Sequence, residues 1–384
     1  MKKIAIITAT RAEYGLLRPL IELVHSDQEL ELQLLVTGAH LSPNHGNTWQ
    51  QIEADGFSIT KKFEMLLASD SSVAISKAMG LAQISFAEAF EELKPDVAVI
   101  LGDRYEMLAV ASSALMFNLP VAHIHGGELT YGAIDDAIRH AITKMSNLHF
   151  TSTEEYRQRV IQMGEQPETV FNTGAIGLDS IKNLHLLGRN ELENTLDIKL
   201  KKQNFIITVH PETKSNVPVK QQIDELLHSL DHFDDTFLFF TSANADAQGS
   251  EINARLKEYA ATHPDKALFV NSLGQIRHLS CLKHFDMVIG NSSSGIIEAP
   301  SFKTPVVNIG TRQQGRIMAE NIINCNTTRN EIKQAINKGL SKPFQESIKN
   351  LKSPYGEGNA APKILNILKT HNIKSIKKFH DIQP

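Results

Sequence analysis

Short apolar runs alternate with amphipathic stretches along the chain, and the alternation is regular enough to predict a fold class. Runs rich in β-branched residues stand at KIAIIT (3–8), LQLLVT (32–37), VAVILG (97–102) and VAHIH (121–125), and again at FIITV (205–209), FLFFT (237–241), MVIG (287–290) and VVNIG (306–310). Each is nearly continuous in apolar character and is followed by helix-compatible sequence, as expected for strands of a parallel sheet covered on both faces. The pattern occurs twice. A polar segment without strand signals, 183–204, lies between the two sets. This predicts two doubly wound α/β domains facing each other, joined there. Ligands of such sheets bind beyond the carboxyl ends of the strands, so the residues just after each run are the ones to inspect.

Those residues are polar in seven loops on the same expected edge. They include Arg11; Asp103, Arg104 and Glu106; His125 and Glu128; His210 and Glu212; Asn244 and Asp246; Ser292, Ser293 and Ser294; and Thr311 with Arg312. Loops are polar in any protein, but seven on one edge point to a cleft. The most informative is GNSSSGIIEAP (290–300), a strand end followed by small hydroxyl residues and then helix. Backbone N–H groups and hydroxyls in that setting hold phosphate, and Glu298 is placed to accept from ribose hydroxyls. Ser and Asn are also ordinary helix caps, but three serines and an asparagine exceed what capping needs. Arg11, Arg104 and Arg312 supply charge for a diphosphate.

Composition narrows the class. With 384 residues, 41% of them hydrophobic and 21% charged, the chain has the balance of an enzyme-sized globular protein, and about 150 residues per domain gives two or three domains. A net charge of −4, with basic residues scattered, leaves no footprint for nucleic acid or an anionic membrane. Two cysteines, Cys281 and Cys325, suit a reducing compartment. The apolar part of MKKIAIITAT is too short for a signal peptide, and a cytoplasmic protein is expected.

The stretch AHIHGGELTYGAIDDAIRHAITK (122–144) crowds His123, His125, Glu128, Asp135, Asp136, Arg139 and His140 around one strand-to-helix turn. A metal site from these side chains is one reading, but their spacing is unlike the compact patterns of zinc sites, and no metal is expected. His123 between apolar neighbours suits a hydrogen-bonded core histidine. Asp136, Arg139 and His140 suit a helix surface with i, i+3 and i, i+4 pairs. Neither phosphate motif with a fixed spacing applies: the G-x-x-x-x-G-K-[ST] loop is absent, and GEGNAA (356–361), though it fits G-x-G-x-x-A, has no strand before it and reads as a turn and helix start.

The order R-A-E-Y, G-D-R, H-I-H-G-G-E, D-D-A-I-R-H-A-I-T-K, H-P-E-T, G-N-S-S-S-G-I-I-E and N-I-G-T-R-Q resembles the UDP-N-acetylglucosamine 2-epimerases, specifically the hydrolysing branch of bacterial sialic acid synthesis. The resemblance implies a GT-B type fold of two Rossmann-like domains with a cleft between them, spanning 1–180 and 181–357, with a last helix at about 358–371 packing back on the first. It implies the reaction of UDP-N-acetylglucosamine with water to UDP and N-acetylmannosamine, by elimination to a 2-acetamidoglucal and hydration, with no cofactor. It implies a homo-oligomer, dimer or tetramer. It suggests Asp103, Glu128, Asp135 and His210 for acid–base and sugar-positioning work. For UDP it suggests Arg11, Arg104, Gly174, His210, Asn244, Asp246, Ser292, Ser293, Glu298 and Arg312.

One departure leaves the C2 base open. Where the non-hydrolysing enzymes and some hydrolysing members carry glutamate, this chain has His125, so the role passes to Glu128 or to the imidazole, whose unperturbed pKa near 6.5 suits a base. UDP-N-acetylglucosamine is expected over the UDP-linked 2,4-diacetamido-6-deoxy sugar of legionaminic acid synthesis. The rivals are a GT-B glycosyltransferase and a non-catalytic UDP-sugar sensor, the latter having no need of the first-domain carboxylates.

Overall fold

The structure is a computed structural model that describes residues 1–384 except 70, 132–133, 213–216, 244–248, 272 and 383–384. The chain forms two compact units, one of 1–128, 134–180 and 358–384, the other of 129–133 and 181–357.

In the first unit the elements run β1 (Lys2–Thr8), α1 (Arg11–Ser26), β2 (Leu30–Thr37), α2 (Trp49–Ala54), β3 (Lys61–Phe63), α3 (Ser72–Leu93), β4 (Val97–Leu101), α4 (Tyr105–Met116), β5 (Val121–Ile124), α5 (Asp135–Met145), β6 (Leu148–Thr151), α6 (Glu154–Gln162), β7 (Val170–Asn172) and α7 (Gly177–Asn183). The sheet is parallel in the order β3-β2-β1-β4-β5-β6-β7. Strand order reverses between β1 and β4. At such a switch the two following connections leave to opposite faces and open a crevice at the carboxyl ends, which here belongs to the Thr8–Arg11 and Gly102–Tyr105 turns. Alternation along β1 fills both cores: Ile4 and Ile6 pack on one side of the sheet, Ala5 and Ile7 on the other.

The second unit continues with α8 (Arg189–Leu196), β8 (Gln203–Thr208), α9 (Val219–Leu230), β9 (Thr236–Thr241), α10 (Gly249–Thr262), β10 (Ala267–Val270), α11 (Gly274–His284), β11 (Met287–Gly290), α12 (Ser293–Ile297), α13 (Ala299–Phe302), β12 (Val306–Ile309), β13 (Ile322–Cys325), α14 (Arg329–Leu340) and α15 (Lys342–Ser347). Its parallel sheet runs β10-β9-β8-β11-β12-β13, with the switch between β8 and β11. The polar 183–204 segment holds α8 and packs Leu186, Leu187, Leu192, Leu196, Ile198 and Leu200 on this core.

Last comes α16 (Ala360–Thr370), which packs in the first unit's core through Ala360, Ala361, Ile364 and Leu368. The buried Asp179 carboxylate fixes its start, accepting from Ala360 N at 2.8 Å and Ala361 N at 2.6 Å. An anion on the first free N–H groups of a helix is favoured by both hydrogen bonding and the helix dipole. Among the described residues no helix is long and apolar enough to cross a membrane.

Candidate active site

At the first unit's switch point, Thr10 caps α1 and the Glu13 side chain reaches back, Oε2 accepting from Ala9 N at 2.8 Å and Thr10 N at 3.1 Å. Burial pushes the Glu13 carboxyl up to about 7, against the opposing effect of Arg104. Arg104 is held by Glu106, Nε at 3.1 Å and Nη2 at 2.9 Å, with Glu13 Oε1 3.8 Å away. Its charge is thus already shared between two carboxylates. Arg11 stands exposed on the first turn of α1.

A buried arginine ties the next two loops together. Arg139, on α5, donates through Nη2 to Asp103 Oδ2 and through Nη1 to the Glu128 carbonyl at 2.8 Å. It is 2% exposed and stands on the buried side of α5 with Ile142 and Thr143, so it is not the surface residue that helical pairing suggested. Its guanidinium pairs with the Asp103 carboxylate and fixes the turn carrying Glu128. Glu128, also buried, accepts from Ser152 Oγ at 2.8 Å through Oε1, which lies 3.5 Å from His125 Nδ1. His125 takes a left-handed backbone, φ 68°, and its Nε2 lies 3.4 Å from Ile176 N as acceptor. With Nε2 accepting, the proton sits on Nδ1, facing Glu128.

Asp135 opens α5 one turn before Arg139, half-buried and without a hydrogen bond or ion pair among the described residues. His123 is a core histidine: Nε2 donates to Gly102 O at 2.7 Å, Nδ1 lies 3.3 Å from Thr143 Oγ1, and burial pushes its pKa down to about 3. His140 lies 3.6 Å from Asp136. Among the described residues no three His, Cys, Asp or Glu side chains are grouped to hold a metal. Gly174 follows β7 with φ 88°, a conformation that favours glycine.

In the second unit the His210 and Asn291 turns, which follow β8 and β11, are locked reciprocally. His210 N donates to Asn291 Oδ1 at 2.7 Å, and Asn291 Nδ2 donates to His210 O at 2.9 Å. Burial, and secondarily Arg312, push the His210 pKa down to about 3, so the imidazole is neutral at pH 7. Glu212 accepts from Thr311 N at 2.6 Å and Arg312 N at 3.0 Å. A Cβ on Gly310 would stand 2.1 Å from Glu212 Oε1, which explains a glycine there. Arg312 Nη1 donates to Asn291 O at 3.1 Å.

The three serines divide their work. Ser292 caps α12, accepting from Ser294 N at 3.4 Å. Ser294 Oγ donates to Glu298 Oε2 at 2.7 Å, with His278 Nε2 2.7 Å from the same hydroxyl and 3.3 Å from Glu298. Only the Ser293 hydroxyl has no hydrogen bond among the described residues. Capping therefore accounts for Ser292, and Ser293 is the hydroxyl open to a ligand. Asn244 and Asp246 lie outside the described residues.

The structure thus brings Asp103 and Glu128 together through Arg139, with His125 beside Glu128, and brings His210, Ser292, Ser293 and Arg312 to one edge of the second sheet. Arg104 is turned toward its own unit's carboxylates. Sequence reasoning missed Ser152 and His278, read Arg139 as a helix-surface residue, and placed Glu212 and Asn291 on the expected edge without their partners. Arg139 left a signal in the periodicity of α5, and Glu212 and Asn291 in their place after a strand; Ser152 and His278 left none, because their partners Glu128 and Ser294 are distant in sequence.

The first unit offers acid–base groups and the second offers donors for an anion. Residues 22–369 match the family model described as UDP-N-acetylglucosamine 2-epimerase. The chain is 48% identical to a GDP/UDP-N,N'-diacetylbacillosamine 2-epimerase (hydrolyzing) of Campylobacter jejuni, covering 90% of this chain and 89% of that one. It is 40% identical to polysialic acid biosynthesis protein P7 of Escherichia coli, covering 100% and 98%. A crystal structure of UDP-GlcNAc 2-epimerase from Neisseria meningitidis bound to UDP-GlcNAc superposes with a TM-score of 0.82 at 17% identity, covering 96% of this chain and 99% of that one. That likeness shows the fold, two Rossmann-like units of the GT-B type.

Proposed function

We infer the reaction from one premise: the chain belongs to the UDP-N-acetylglucosamine 2-epimerase family, in its hydrolysing branch. It converts a nucleoside-diphosphate 2-acetamido sugar and water to the free C2-epimeric sugar and the nucleoside diphosphate. The C2–H of such a sugar is scarcely acidic until C1–O cleavage builds oxocarbenium character. The protein must therefore stabilise the departing diphosphate while a base takes the C2 proton. The glycal so formed is then hydrated at C1 and reprotonated at C2.

Inversion means that the proton leaves one face of C2 and arrives on the other, so two groups are required. The reading rests on the Arg139 junction, which holds the Asp103 and Glu128 loops together: Asp103, paired with the guanidinium, takes the proton, and Glu128 serves the opposite face with Asp135. His125, with both ring nitrogens engaged, orients Glu128 and does not act as the base. Ser293, Arg312 and neutral His210 receive the diphosphate, Glu298 the ribose, and Asn244 and Asp246 the rest of the nucleotide. Arg11 and Gly174 complete the sugar and phosphate contacts, Arg104 and Ser292 supporting their loops.

For the sugar, the 48% identity favours UDP-N,N'-diacetylbacillosamine. UDP-N-acetylglucosamine is the second reading, favoured by the motif order and by the 40% identity to a protein named for polysialic acid biosynthesis. The two differ at C4 and C6, where a site built for hydroxyls strongly rejects a deoxy analogue. The test is NMR of each reaction in heavy water: deuterium at C2, inverted configuration and free UDP are expected. Retention of the original hydrogen would remove the elimination mechanism, and the ratio of kcat/KM values decides the sugar.

A further inference from the structure

Glu298 stands at a joint in the second unit. It closes α12, a helix of five residues, and directly precedes α13, one of four, whose second residue Pro300 has no N–H to donate. Its main chain is held by two bonds, Glu298 N donating to Ser294 O at 2.9 Å and Glu298 O accepting from Ser301 N at 3.0 Å. Helices this short depend on their surroundings more than on their own turns, so a carboxylate at such a joint is fixed by its side-chain partners. The neighbouring α11 supplies them. That helix is anchored through buried Leu279, Cys281 and Leu282, and through Ser280 Oγ, which accepts from Leu187 N at 3.0 Å. From this base His278 places Nε2 2.7 Å from Ser294 Oγ and 3.3 Å from Glu298 Oε2, and Ser294 Oγ lies 2.7 Å from the same carboxylate oxygen.

The proton positions follow from the acceptor. A carboxylate has no proton to give, so the Ser294 hydroxyl donates to Glu298. Its one hydrogen is thereby used, and the imidazole donates to the hydroxyl through Nε2–H. The His278 and Glu298 side chains are 25% and 16% exposed, which shields these bonds from competing water. Both donors converge on Oε2, while Oε1 has no hydrogen bond among the described residues. We propose that His278 is a positioning residue for nucleotide selection: acting through Ser294, it holds the Glu298 carboxylate with Oε1 free, and so makes the protein prefer a ribonucleoside diphosphate over one that lacks the ribose hydroxyls. This rests on the reading that Glu298 receives the ribose. A sugar hydroxyl donating to a carboxylate makes a charge-assisted bond, and a ligand without that hydroxyl leaves the acceptor unpaired. A carboxylate that is not held in place has to give up rotamer freedom when it binds the ribose. That cost falls only on the ligand that carries the hydroxyls, so it lowers the preference and not binding in general.

Calorimetry of the full chain with UDP and with 2′,3′-dideoxy-UDP reads the ratio of the two affinities, with thermal melts as a check that each variant is folded. The wild type should favour UDP by roughly ten- to hundredfold. His278→Leu should bind UDP about five- to tenfold more weakly and the dideoxy nucleotide within about twofold of wild type. His278→Gln, whose amide nitrogen can donate to the same hydroxyl, should recover the ratio to within about threefold. Ser294→Ala, which removes the bridging hydroxyl, should repeat the Leu result by a second route. A folded His278→Leu variant that keeps the wild-type ratio, or that loses both affinities equally, overturns the proposal, as does a Gln variant no better than Leu. Glu298→Ala separates this inference from the reading beneath it. A preference lost there but intact in His278→Leu defeats the His278 role alone, whereas a preference that survives Glu298→Ala removes the ribose reading along with it.

Discussion

Replacing Arg139 by Met would test whether a single buried guanidinium organises the first unit's half of the site. Two hydrogen bonds from a cation would be lost, to the Asp103 carboxylate and to the Glu128 carbonyl at 2.8 Å. Breaking a buried ion pair from one side costs about 3–5 kcal/mol. The Asp103 side chain is 24% exposed, so water can hydrate the stranded carboxylate, and the lower end, about 3 kcal/mol, applies. For a unit of this size that lowers its melting temperature by about 6–12 °C. Turnover should fall by about 10²–10⁴-fold, because the placement of both the Asp103 carboxylate and the Glu128 turn depends on the same side chain. Arg139→Lys keeps the charge but cannot span both acceptors, and should lie between the two. The paired assays are calorimetric melting and release of UDP under saturating substrate. A Met variant melting within about 2 °C of wild type with unchanged kcat would refute the role given to Arg139. So would an Arg139→Met, Asp103→Asn double variant whose stability losses simply add, since coupled partners are non-additive.

Ser293→Ala should weaken UDP binding by about tenfold in calorimetry without moving the melting temperature, whereas Ser292→Ala, which removes a cap, should cost about 1 kcal/mol of stability; equal UDP affinity in the Ser293 variant would remove the phosphate role. His210 is held neutral with a pKa near 3, below its unfolded value of about 6.5, so the unfolded state takes up the proton first. Stability should therefore fall as pH drops below about 6.5, with this residue contributing up to about 1.4 kcal/mol per pH unit; His210→Gln should flatten acid unfolding of the second unit, and an unchanged slope would contradict the burial argument. Asp179→Asn leaves one acceptor for two N–H groups and should cost about 2–3 kcal/mol, seen as faster hydrogen exchange confined to the start of α16; uniform exchange would deny its capping role.

Much of the architecture was legible in the sequence because a parallel sheet covered on both faces demands continuous apolar strands, and eight of the thirteen strands among the described residues carry such runs. The five without that signal, β3, β6, β7, β10 and β13, are three or four residues long. The three residues of β3 and of β7 are too few to show a pattern, but β5, β11 and β12 were legible at four residues, so length does not account for β6, β10 and β13. In β6 the apolar run is interrupted by His149, which is buried, kept neutral chiefly by desolvation, and hydrogen-bonded to Glu165 at 3.0 Å, a partner no local pattern announces. The loops that carry chemistry were also legible, since strand ends can be located from the runs themselves. What each polar side chain does there was not. Ser292, Ser293 and Ser294 are identical in sequence terms, and only the fold assigns one to a cap, one to Glu298 and one to the open edge. Arg104 and Arg139 read as a ligand arginine and a surface arginine, and the structure ties the first to Glu106 and buries the second beneath Asp103. Apolar periodicity is a local property, set by the geometry of each element. The partner of a buried charge is chosen by three-dimensional proximity and by the cost of leaving that charge unpaired, and both exist only once the chain has folded.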